Sequence, residues 1–288
     1  LGSYLTHHIV DTIFPYQWSG LYFQPRHLRS QIKFEFIRHG PLNPDSVLQS
    51  SNCKSVAVLD EGISDKLQKT IINKPVIIFP DFTDESKPDM TFPLIKEIEE
   101  KAEGRKIVGL LGSLAKRKGF LKLLEIAQLS LEENSFFIFI GKLDKQSFST
   151  EELDKINSFI ESKPQNCLFH LERIPNESQF NALIKICDIL FALYNYPHSS
   201  NILTKAAIFE KPVISIDNFC MGERVSKYRL GLTISNNSTE QCVDSIHKLA
   251  VLSEQSQFYL NPNFVDYKNI HSVEQLIVKF SEILSTHS

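Results

Sequence analysis

Two short stretches of this 288-residue chain carry residue types suited to holding an anion. In "YPHSSNILTKAAIFEKPVISID", residues 196–217, Ser199, Ser200 and Asn201 stand directly before an apolar-periodic run that opens at Ile202. Such residues cap helix starts, and the first free N–H groups of a helix point at whatever lies in front. A diphosphate suits that geometry. Lys205, about one turn further in, can share a face with the cap and add a point charge. In "GSLAKRKGF", residues 112–120, Gly112 closes an apolar run, Ser113 follows, and Lys116, Arg117 and Lys118 precede a helix start at Gly119. Cations beside a helix N-terminus favour phosphate. The GxxxxGK[ST] spacing of a P-loop is absent. A third stretch, "NFCMGERV", places Glu223 after Gly222 in a loop between a strand and a helix, where a carboxylate can accept hydrogen bonds from sugar hydroxyls. Each has a plainer alternative: an ordinary N-cap, a solvated basic loop, a helix-capping glutamate, and a lysine that faces solvent.

These residues need a scaffold that brings strand ends together. From residue 105 onward apolar strands alternate with amphipathic helices. "KIVGLLG", "SFFIFIG", "NCLFHL", "DILFALY", "PVISI" and "LGLTI" read as buried parallel strands. Between the first two lies "KGFLKLLEIAQLSLEE", apolar at Phe120, Leu123, Leu124, Ala127 and Leu131. A polar helix is expected over about 150–162, and another at "ESQFNALIKIC". That alternation implies right-handed βαβ crossovers and ligands outside the carboxyl ends of the strands. The first hundred residues are less regular α/β: "SGLYFQP", "QIKFEFIR", "CKSVAVLD" and "KPVIIFP" read as strands, and "DEGISDKLQKT" as a helix. The opening "LGSYLTHHIVDTIFPYQW" reads as a strand already under way. The stretch "PDFTDESKPDMTFP", with Pro80, Pro88 and Pro93, reads as a linker. Domains are therefore expected at 1–92 and 93–288. The apolar stripe Val273, Leu276, Ile277, Phe280 and Leu284 of the last helix is a candidate to pack back across the boundary.

Composition narrows the class. Hydrophobic residues make up 42% and charged residues 23%, as expected of a packed globular chain. A net charge of −3 gives no bulk drive toward nucleic acid or an anionic membrane. Cys53, Cys167, Cys187, Cys220 and Cys242 lie far apart, without zinc-like spacing, and read as buried thiols of a cytoplasmic protein. No apolar run reaches the ~18 residues that span a bilayer. Asn176-Glu-Ser178 and the overlapping matches at Asn236 and Asn237 fit the glycosylation pattern, which matters only in a secretory context. His7, His8 and His27 read as structural, and no metal-ligand set precedes the anion-friendly ends.

The ordered motifs over 105–252 resemble the C-terminal domain of GT-B-fold glycosyltransferases, closest to the retaining, metal-independent group 1 enzymes of family 4. Gly112 and Lys118-Gly119 match that family's strand-glycine and lysine-glycine, with Ser113 where arginine is usual. Cys187-Asp188-Ile189, "KAAIFEKPVI" and, loosely, "FCMGE" match three further motifs. The family's paired glutamates fall on Pro197 and Lys205. The glycine turn before the helix becomes Ser199-Ser200-Asn201.

The resemblance implies two Rossmann-like domains, the first acceptor-binding and N-terminally incomplete. It implies glycosyl transfer from a UDP-, GDP- or ADP-type nucleotide sugar to a glycan, lipid or small-molecule acceptor. No cofactor, metal or nucleic acid is expected, while a peripheral membrane contact and the oligomeric state stay open. Lys118, with Arg117, would neutralise the departing diphosphate. Gly112, Ser113, Ser199, Ser200, Asn201, Ile202 and Lys205 would surround the donor, Arg173 would lie by the base, and Glu223 would meet the sugar. The alternatives are a non-catalytic binding protein of the same fold, motivated by the lost glutamates, and a nucleotide-sugar epimerase.

Overall fold

A computed structural model describes residues 7–23, 25–29, 45–71, 73–129, 134–197, 199–235, 238–252 and 263–287. The chain divides into two compact units, one of Leu1–Phe82 with Pro197–Ser199 and Ile270–Ser288, the other of Thr83–Tyr196 with Ser200–Asn269.

The described part of the first unit begins with helix α1 (His7–Ile13), where a strand was expected. Val10 buries one side of it, and the Asp11 carboxylate is tied down by the Ser50 hydroxyl. A parallel sheet follows in the order β1 (Trp18–Leu21), β2 (Cys53–Val58), β3 (Val76–Ile78), with helix α2 (Ser64–Thr70) between β2 and β3. The β2 residues Cys53, Val56 and Val58 pack with Ile63, Leu67 and Ile71. The C-terminal helix adds the Phe280 ring, edge-on to Phe79 at 5.2 Å. The expected strand "QIKFEFIR", residues 31–38, lies outside the described residues, as do Asn236 and Asn237.

The second unit begins with helix α3 (Pro93–Ala102), started by proline at N1, where its missing N–H costs nothing. Strands β4 (Lys106–Leu111), β5 (Ser135–Ile140), β6 (Cys167–His170), β7 (Ile189–Ala192), β8 (Val213–Ile216) and β9 (Gly231–Ile234) form one sheet in the order β6-β5-β4-β7-β8-β9, every pair parallel. The helices are α4 (Phe120–Leu129), α5 (Thr150–Glu161), α6 (Glu177–Ile186), α7 (Ile202–Ile208), α8 (Phe219–Tyr228), α9 (Thr239–Leu252) and α10 (Phe264–Ile270). The C-terminal helix of the first unit, Val273–Ser285, completes the series as α11.

All of β5 is buried, because both faces of this sheet are covered. Phe136, Ile138 and Ile140 enter one core with α3, α6 and α7, while Phe137 and Phe139 enter the other with α4 and α9. Gly109 lets the Cys187 thiol pass, since a Cβ there would stand 2.5 Å from its Sγ. The strand order reverses between β4 and β7, so the crevice outside their carboxyl ends is the place where such a sheet takes a ligand.

Candidate functional site

A cavity of about 1090 Å³ opens at that reversal point. Its wall is built from loops that follow four neighbouring strands. Gly112, Ser113 and Lys118 follow β4; Gly141 to Gln146 follow β5; Leu171, Arg173 and Ile174 follow β6; Tyr194, Ser200 and Asn201 follow β7. The first residues of α6 and α7, with Lys205, complete it.

Two glycines set the floor. Gly112 (φ +95) and Gly141 (φ +134) end adjacent strands in backbone conformations that side chains resist. A Cβ on Gly141 would overlap the Gly112 carbonyl oxygen and stand 2.7 Å from its carbon. Past this crossing the loops stay paired: the Leu114 amide donates to the Lys142 carbonyl at 2.9 Å, and the Asp144 amide returns to the Leu114 carbonyl at 2.9 Å.

The lining is strongly cationic. Lys118, Lys142, Lys145 and Arg173 all reach it, and none of the four forms an ion pair among the described residues. Lys118 is steered by an aromatic ring: its Nζ lies 5.2 Å from the centre of Tyr194. The Tyr194 hydroxyl shares a 3.0 Å hydrogen bond with Ser200 Oγ, which weakly accepts from the Ile202 amide at 3.5 Å. Thus Ser200 is the serine that meets the helix start. Asn201 occupies the cap position without a side-chain cap bond, its amide instead 3.4 Å from Thr83 Oγ1.

Of the residues singled out by sequence, Gly112, Ser113, Lys118, Arg173, Ser200, Asn201, Ile202 and Lys205 come together around this cavity. Arg117 is exposed and outside its lining, and Lys116 pairs with Glu152 at 2.6 Å. Ser199 groups with the first unit. Glu223 does not sit in a loop. It is the fifth residue of α8, exposed, and outside the lining, because the helix already starts at Phe219, where the backbone turns with φ +60. The solvent-facing alternative for Lys205 is excluded: the residue is 2% exposed. Its ammonium donates to Asn181 Oδ1 at 2.6 Å, Glu177 Oε2 at 2.9 Å and the Asp84 carbonyl at 3.3 Å. Its three protons are thereby engaged, so the free point charge expected of it is not available.

Sequence reasoning missed Lys142, Asp144, Lys145, Glu177, Phe180 and Tyr194. The first three lie directly after β5; the clue was Gly141, which closes β5 as Gly112 closes β4. Asn176, noted for its glycosylation pattern, caps α6 by accepting from the Ser178 amide at 3.0 Å.

The sheet order and the cation-lined crevice at its reversal define a Rossmann-like domain with a candidate ligand site. Residues 91–259 match the sequence model of the glycosyl transferases group 1 family. The chain therefore belongs to the group 1 glycosyl transferases. No curated protein matches it. Among solved structures, Anabaena HepE in complex with UDP and glucose superposes with a TM-score of 0.69 at 14% identity, covering 96% of this chain and 73% of that one. Sucrose-phosphate synthase from Thermosynechococcus elongatus gives 0.70 at 13%, covering 97% and 70%. WaaG, a glycosyltransferase of lipopolysaccharide biosynthesis, gives 0.58 at 16%, and there the chain spans 79% of itself but 60% of WaaG. These likenesses establish the GT-B-type α/β fold expected from the motifs. No described helix is long and apolar enough to cross a membrane.

Proposed function

We propose that the chain binds a nucleotide-diphosphate sugar in the cavity at the β4–β7 reversal and transfers its glycosyl group to an acceptor, with retention and without a metal. The observation that carries this reading is the set of Lys118, Lys142, Lys145 and Arg173, four cations without ion-pair partners around one crevice of a group 1 glycosyl transferase. Charge that builds on a departing diphosphate is stabilised by such pre-placed cations, which act most strongly where water is scarce. Lys118 is the best-held of them, through the Tyr194 ring. In this reading Arg173 and Ile174 lie by the base, and Glu223, on the helix that leaves the carboxyl end of β8, offers a carboxylate to sugar hydroxyls. The first unit takes the acceptor. The HepE complex, which holds UDP and glucose on the same fold, supports the donor class.

The test is release of UDP, GDP or ADP from the matching sugar nucleotides in EDTA, with thermal unfolding in parallel. At about 100 times the dissociation constant, binding adds about 2.7 kcal/mol, or roughly 5–10 °C for a domain of this size. Binding without turnover would favour the second reading, a non-catalytic member of the fold. One observation motivates that reading: Lys205 and Pro197 stand where the resemblance places glutamates. Absence of binding by all three diphosphates would overturn the transfer reading and favour a non-catalytic protein of this fold that binds a glycan or a protein partner.

A further inference from the structure

We propose that Glu177, held by the buried Lys205, is the carboxylate that accepts hydrogen bonds from a vicinal diol of the bound nucleotide sugar. This rests on the donor-binding reading above and adds a residue that discriminates hydroxyl-bearing from deoxygenated ligands.

The cavity's cations serve one of the two chemical needs of such a ligand. A sugar nucleotide carries phosphates, which lysine and arginine bind, and diols, which need acceptors. Two carboxylates reach the lining, Asp144 and Glu177. Glu177 is the first residue of α6, and its side chain is 57% exposed. An exposed glutamate ordinarily samples many rotamers, and holding it costs entropy. Here a fixed cation holds it: Oε2 lies 2.9 Å from Lys205 Nζ, and Lys205 is 2% exposed.

That lysine is itself locked from behind. Its Nζ meets Asn181 Oδ1 at 2.6 Å and the Asp84 carbonyl at 3.3 Å, and it lies 5.5 Å from the centre of the Phe180 ring. Asn181 is fully buried, and its amide donates to the Ser86 carbonyl at 2.9 Å. The Asp84 carbonyl and Asn181 side-chain oxygens are neutral, so among the described residues Glu177 is the carboxylate that forms an ion pair with the lysine. Among the described residues Glu177 Oε1 has no hydrogen-bond partner, and it remains an acceptor at the cavity wall. A carboxylate there repels phosphate and suits two adjacent hydroxyls. It marks the part of the crevice that takes sugar rather than diphosphate. Lys205 is then a positioning residue, and Glu177 the binding one.

The experiment measures dissociation constants by calorimetry for UDP, GDP and ADP, for the 2′-deoxy and 3′-deoxy forms of whichever binds, and for the corresponding glucose nucleotide. It uses wild type, Glu177→Gln and Lys205→Met. Glu177→Gln keeps the side-chain shape and an acceptor oxygen toward Lys205, and circular dichroism with thermal unfolding of each variant checks that the fold is kept before affinities are compared. A hydrogen bond to a charged group gives about a tenfold to hundredfold preference for the ribose form in wild type. Glu177→Gln should weaken the ribose ligand by a similar factor and bring the ratio of deoxy to ribose affinity near one, and Lys205→Met should do the same. A purely structural effect of Lys205 would weaken both ligands equally and leave the ratio intact, which contradicts its positioning role. If the ribose and deoxy forms bind alike in wild type while Glu177→Gln weakens only the glucose nucleotide, the diol is on the transferred sugar. Affinities for both diphosphate and glucose nucleotide unchanged within about twofold in Glu177→Gln would overturn the inference while leaving donor binding intact. Failure of wild type to bind any of the three diphosphates would overturn the donor reading and this inference with it.

Discussion

Replacing Gly141 by alanine should be among the most damaging single-methyl changes this chain can suffer. Gly141 sits at φ +134, a conformation that strains an L side chain by about 1–3 kcal/mol. The added Cβ also collides with backbone, not with a flexible side chain: it would overlap the Gly112 carbonyl oxygen and lie 2.7 Å and 3.1 Å from that residue's C and Cα. Gly112 cannot retreat freely, because its amide is bonded to the Ile140 carbonyl at 2.9 Å. Forcing such a shift in a packed region costs about 1–3 kcal/mol more. The sum, about 2–6 kcal/mol, corresponds to a fall in melting temperature of roughly 4–24 °C. Gly104→Ala is the control: its φ of +80 is also positive, but nothing lies within 4 Å of an added Cβ, so it should show the conformational cost alone. Differential scanning calorimetry of both variants separates the two contributions. If Gly141→Ala melts no lower than Gly104→Ala, the close crossing of the β4 and β5 ends is not a rigid part of the cavity floor.

Three further outcomes are expected. Burial pushes the Cys53 thiol up to about 11, those of Cys167 and Cys242 up to about 12, and that of Cys187 higher still. Iodoacetamide at pH 8 should therefore spare these four in the native protein and label them in urea; rapid native labelling would show that the cores open. The Glu152 carboxyl is held below its ordinary value of 4.5 first by Lys116 and then by the Ser149 amide. Its stabilising effect is therefore present above that value and lost as pH falls below it, so the stability gap between wild type and Glu152→Gln should be flat from pH 8 to 6 and close under acid in urea titrations. A gap that persists at low pH would refute the link. We also propose a domain boundary within residues 81–93, where endoproteinase cleavage after the exposed Glu85 should precede cleavage inside residues 105–216; the reverse order would place the boundary elsewhere.

What the sequence revealed follows from range. The strands of the second unit are buried on both faces, so they read as uninterrupted apolar runs, and β5 and β7 lie where "SFFIFIG" and "DILFALY" placed them. Gly112 and Lys118 were visible because a strand end and a basic turn are adjacent in the chain. Helix α8 was hidden. Its cap residue, Asn218, makes no side-chain cap bond, and the helix starts at Phe219 with a positive φ of +60, so Glu223 looked like a loop residue. Pro93 looked like the last proline of a linker and is the first residue of α3. The Glu177–Lys205 pair joins residues 28 apart through the packing of α6 on α7, which no local pattern encodes.

The central claim, that the crevice at the β4–β7 reversal is a diphosphate site, is tested most directly by hydrogen–deuterium exchange with 5 mM UDP, GDP or ADP in EDTA. The account predicts that at least one of them slows exchange in the loops at 112–118, 141–146 and 171–177 together, and that Lys118→Ala abolishes most of that protection. Unchanged exchange in these loops with all three, or protection confined to another part of the chain, would contradict it.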